Sequence, residues 1–147
     1  MFDMIFFSNP ANILFDINFI VQIVLIAMLI FGVTQKPNPR RHGTILAIAT
    51  IINLATFAII MFPSLFIKWN LIGLHNLTAI TLIHSIIGAV AIGLGLFFSI
   101  RFLIFLRRKD PLNCGTKIEM RIANASWLGS FILGLIFYFV FYTTNIA

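Results

Sequence analysis

Apolar positions in this chain do not alternate with polar ones at the helical or strand period expected of a half-buried element; they run on in long blocks. Four blocks, Ile13 to Val33, Gly43 to Ile67, Leu77 to Leu106 and Ile122 to Thr144, reach the roughly 20 apolar residues a helix needs to cross about 30 Å of hydrocarbon. Each block is predicted to be helical, because an open backbone cannot satisfy its polar groups in lipid. The connections punctuate this pattern. Pro37 and Pro39 separate the first two helices, Trp69 marks an interfacial level in the short Lys68 to Asn76 connection, and Asp110, Pro111, Asn113 and Gly115 make the Arg107 to Arg121 connection rich in turn residues. The expected architecture is all-α: one integral membrane four-helix bundle with no loop long enough to form a second domain.

Charge sets the orientation. Lys36, Arg40 and Arg41 lie between the first and second helices, and Arg101, Arg107, Arg108, Lys109, Lys117 and Arg121 lie around the connection between the third and fourth. Only Lys68 lies on the other side. Lys and Arg collect on the cytoplasmic side, so both basic loops are expected inside and both termini outside, in a multi-pass protein of the cell (plasma) membrane. Composition agrees: 61% of the 147 residues are hydrophobic and 10% charged, with a mean hydropathy of +1.07. The formal charge of +6 adjoins apolar runs, which points to lipid phosphate and away from nucleic acid. The Met1 to Phe7 start carries Asp3 and no basic residue, unlike a cleaved signal peptide, so the first apolar run is expected to be retained. The single cysteine, Cys114, excludes an internal disulfide.

Small residues recur every four positions: Ser85, Ala89 and Gly93, then Ala91, Gly95 and Ser99 on the third helix, and Ser126, Ser130 and Gly134 on the fourth. That spacing lets helix backbones approach closely, either within the bundle or against another integral membrane subunit.

No signature of a soluble enzyme occurs: there is no phosphate-binding glycine loop, His-Glu-x-x-His, paired Cys-x-x-Cys or nucleophile elbow. The candidates for chemistry are polar groups at membrane depth, which are costly there. His84, Met61, Asp16 and Tyr138 share the outward half, with His75 just above. Imidazole with thioether suits copper, and imidazole with carboxylate suits several divalent metals, so His84, Met61, Asp16 and His75 form a candidate metal set. The bland alternative is a hydrogen-bonded packing cluster. His75 and His84 are nine residues apart and would point to opposite faces of one helix at about 100° per residue. His42 and His84 lie about 20 Å apart along the membrane normal, too far to be two axial ligands of one haem. Nearer the basic side are Arg101, Glu119 and Arg121, and Asn53 is the most deeply placed amide, suited to an interhelical hydrogen bond. Of two sequons, at Asn76 and Asn124, only Asn76 lies on the predicted outer side.

Arg41-His42-Gly43 opens the second helix, Leu82-Ile83-His84-Ser85 lies high in the third, and a basic segment leads through Met120-Arg121 and Trp127 to Gly134, Tyr138 and Tyr142. In that order, over roughly Arg40 to Tyr142, the chain resembles the small four-helix membrane proteins of domain-of-unknown-function family 420, which include CtaM-type maturation factors of haem-copper oxidases. His42 and His84 match histidines of that family. The pattern departs at the start of the fourth helix, where the family tends to have a further His and this chain has Lys117, Ile118 and Glu119. The resemblance implies service to a larger membrane metalloenzyme, in its assembly or as a resident subunit. The leading expectation is therefore a non-catalytic accessory or assembly subunit of a haem-copper oxidase or a copper-dependent ammonia- or methane-type monooxygenase. The alternative is a small carrier of haem or copper using His84.

Overall fold

The computed structural model describes residues 10–63, 79–108 and 117–144, and these are all-helical, without a strand. In chain order the helices are α1 (Pro10–Thr34), α2 (Pro39–Thr56), α3 (Ala79–Arg108) and α4 (Lys117–Thr144), with a π-helical turn, Phe57–Met61, continuing α2. His75, Lys68, Trp69, Asn76 and Cys114 lie outside the described residues.

Three stretches are long and apolar enough to cross a membrane: Asp16–Thr34, Pro39–Met61 and Thr81–Arg107, with hydropathies of 2.4, 2.3 and 2.3. Helix α4 differs from the expected Ile122 start. It begins five residues earlier, because Lys117, Glu119 and Arg121 are good helix formers that hydropathy does not register. The outer faces carry large apolar side chains such as Ile59, Ile86, Phe31 and Ile51, each more than half exposed. Such a surface requires lipid as its solvent, and the chain is a membrane protein.

Helix starts and stops follow local chemistry. Asn38 caps α2 by accepting the Arg41 N–H at 3.2 Å, and Pro39 occupies the first turn, where its missing N–H costs nothing. The second block is not one unbroken α-helix. The Phe62 N–H reaches back to the Phe57 carbonyl, a five-residue π step, immediately before Pro63. Proline has no N–H and crowds the carbonyl four residues earlier, and a widened turn relieves that conflict.

Each helix packs on its sequence neighbours, and a narrower seam between α1 and α4 closes the ring. Every seam is antiparallel, as cross-helix partners show. Gln22 meets Asn53 and Gly32 meets Leu46 across α1–α2, while Gly43 meets Phe102 and Gly95 meets Thr50 across α2–α3. Gly88 meets Ser130 and His84 meets Gly134 across α3–α4, and Asp16 meets Tyr138 across α1–α4. The core, Leu25, Leu29, Ala49, Ala91 and Trp127, draws on all four helices.

The small-residue repeats divide in use. Ala91 and Ser99 are buried, and a Cβ on Gly95 would stand 3.0 Å from the Thr50 hydroxyl oxygen, so this repeat is the α2–α3 contact. Ser130 and Gly134 serve the α3–α4 contact. Ala89 and Gly93 face outward, and among the described residues nothing lies within 4 Å of where a Gly93 Cβ would be.

Candidate functional site

The antiparallel register brings the polar groups of the half remote from the basic helix ends into two adjacent levels. At the first, the Tyr138 hydroxyl donates to Asp16 Oδ1 at 2.7 Å, and the Tyr138 ring stacks on Phe19 with centroids 4.6 Å apart. Asp16 is fully buried and Tyr138 nearly so. A carboxyl group removed from water needs hydrogen bonds to remain there, and a phenol on the facing helix supplies one without adding a charge. The contact also fixes the register of the narrowest seam.

His84 sits about one turn deeper, opposite Ser130 and Gly134 and four residues from Tyr138 along α4, a rise of about 6 Å. Its Nδ1 lies 2.9 Å from the Ser130 carbonyl oxygen, so Nδ1 carries the proton and donates. A Cβ on residue 134 would stand 3.0 Å from the imidazole Cε1, so glycine there gives the ring its place against the α4 backbone.

Of the four residues in the candidate metal set, Asp16 and His84 are thus held by different partners at successive levels. Met61 is half-buried in the π turn, which packs on α1 and, among the described residues, makes no close backbone approach to α3. His75 lies outside the described residues. Among the described residues, no group of three His, Cys, Asp or Glu side chains could hold a metal ion.

His42 occupies the opposite end. Its Nδ1 is 2.6 Å from the Gly32 carbonyl oxygen, one of the last in α1, so the imidazole caps one helix from the first turn of the next. Asn53, placed by its sequence as an interhelical amide, accepts from Gln22 Nε2 at 3.1 Å. Arg101 holds its guanidinium over the Phe97 ring, 5.1 Å from the centroid, a cation–π contact one turn back along α3.

The basic half also contains a feature that the sequence did not announce, a partly open cavity of about 300 Å³ between the four helices. Its wall is largely apolar, including Leu29, Leu46, Phe98, Phe102 and Trp127, with His42, Thr50, Ser99 and Asn124 as polar points. Lys36, Lys117 and Arg121 border it at the helix ends and are exposed. Their charges were legible as topology determinants. That they surround an opening follows only from the register, with α1 ending where α4 begins. Trp127 is 6% exposed, and its indole N–H has no acceptor among the described residues.

Comparison of the chain with protein-family models, with curated proteins and with solved structures finds no match in any of the three.

Proposed function

We propose that this chain is a non-catalytic accessory or assembly subunit of a larger membrane metalloenzyme, either a haem-copper oxidase or a copper-dependent monooxygenase of the ammonia or methane type. It resides in the cell membrane with both termini outside and its basic ends in the cytoplasm. The observation that carries the reading is the outward small-residue face of α3. One repeat, Ala91, Gly95 and Ser99, already joins α3 to α2, whereas Ala89 and Gly93 lie exposed on the same helix as the exposed Ile86 and Val90. Small residues at four-residue spacing admit close approach by another helix, and a subunit of a larger complex would use such a face. The resemblance in motif order to the oxidase maturation factors favours the choice of a metalloenzyme.

Replacement of Gly93 by a photo-crosslinking amino acid in the native membrane tests this reading. The expected result is a covalent adduct with a larger integral membrane subunit, and copurification of that subunit after mild detergent extraction. A lone monomer, with no adduct to another protein, would refute it. Metal analysis and an absorption spectrum of the purified chain separate this role from that of a carrier. Haem or copper retained by the chain alone, and lost in His84→Gln, would assign it to the carrier class.

A further inference from the structure

We infer that the cavity at the basic end is a binding site for an anionic membrane phospholipid, with its phosphate at the Lys36, Lys117 and Arg121 rim and the upper part of one acyl chain inside. Such a site does not depend on an accessory-subunit role. Positive residues at a helix end are explained by topology alone, but topology does not require a cavity behind them. Here the cations of two different elements, the turn after α1 and the first turns of α4, border one opening, and no carboxylate lines it among the described residues.

The chemistry of the wall selects the ligand. A small soluble anion would satisfy the rim and leave the surfaces of Leu46, Phe98 and Phe102 unfilled. A neutral apolar molecule would fill those surfaces and leave three cations without a counter-charge. A phospholipid carries both parts, joined in the right order, and basic pockets between membrane helices on the cytoplasmic side are suited to phosphate head groups. The volume of about 300 Å³ is at the small end for ligand pockets, which admits the upper part of one chain and not two, so the second chain stays in the bilayer. Arg121 and Trp127 are six residues apart on α4, a rise of about 9 Å. The ester groups of a glycerolipid lie below its phosphate, and an ester carbonyl offers an acceptor to the buried Trp127 N–H, which has none among the described residues.

Trp127 also makes the site measurable, since the chain has two tryptophans and Trp69→Phe leaves Trp127 alone. In phosphatidylcholine nanodiscs, a phosphatidylglycerol with brominated acyl chains is expected to quench Trp127 at roughly one-tenth the mole fraction needed by brominated phosphatidylcholine. Lys36→Gln, Lys117→Gln and Arg121→Gln combined should bring the two curves together, while Lys36→Arg, Lys117→Arg and Arg121→Lys combined should keep them apart. Circular dichroism checks that both variants remain helical, which their exposed positions favour. Inorganic phosphate should leave the quenching unchanged. Equal quenching by the two lipids in the wild-type background would overturn the proposal, as would relief of quenching by inorganic phosphate, which would assign the rim to a free anion.

Discussion

At the residue scale three polar contacts join helices, while the Thr50, Thr56 and Ser85 hydroxyls bond carbonyls one turn back in their own helices. Tyr138 holds Asp16, Gln22 holds Asn53, and His84 holds a carbonyl of α4. Each bond predicts its own response. Tyr138→Phe removes one hydrogen bond from a fully buried carboxyl and should cost about 1–3 kcal/mol, read as a lowered midpoint of thermal unfolding in detergent. His84→Gln keeps an N–H that can still reach the Ser130 carbonyl, and that carbonyl belongs to a helix. The loss expected is under about 1 kcal/mol, and a drop as large as that of Tyr138→Phe would show that the amide does not take over the imidazole's bond. The sequence made Asn53, Asp16 and Tyr138 legible as polar groups at depth, but did not say which residue pairs with which. Gln22 lies 31 residues from Asn53 and Tyr138 lies 122 from Asp16, separations that only the register joins.

At the scale of elements, the four apolar blocks and the Pro37–Pro39 break were readable because lipid permits only helices, and proline stops them where the sequence places it. Two features were not readable from hydropathy. The early start of α4 was hidden because its first turn is charged, and the π turn was hidden because Phe57 to Met61 is as apolar as its surroundings. Pro63 was the available signal for the second. Of the three glycines of α3, Gly93 and Gly95 give a matched pair of tests. Gly95→Leu would press on Thr50 and should destabilise the bundle by about 1–3 kcal/mol. Gly93→Leu places its Cβ where nothing lies within 4 Å among the described residues, and should leave the thermal midpoint unchanged while weakening copurification of a partner subunit. Equal thermal losses in the two variants would remove the distinction between an inner and an outer face.

At the scale of the whole molecule, antiparallel packing sorts the chain into two chemically different ends. One gathers Asp16, Tyr138 and His84, and the other gathers His42, the cavity and the Lys36, Lys117 and Arg121 rim. The proposed orientation places the second end in the cytoplasm. Cys114, between α3 and α4 in sequence, reports on it: a membrane-impermeant thiol reagent should label inverted vesicles and leave intact cells unlabelled. Labelling of intact cells would invert the assignment.

The narrow α1–α4 seam bears on how the bundle is made. The broad contacts join helices adjacent in sequence, so each new helix leaving the ribosome finds its main partner already inserted, and only the Asp16–Tyr138 clasp must wait for the last helix. Synthesis as two separate hairpins, α1–α2 and α3–α4, divided between residues 64 and 78, should therefore still yield a complex, because the α2–α3 face and the clasp both survive the cut. Coexpressed halves should copurify, and Tyr138→Phe should weaken that recovery more than it weakens the unbroken chain, in which covalent linkage does part of the clasp's work.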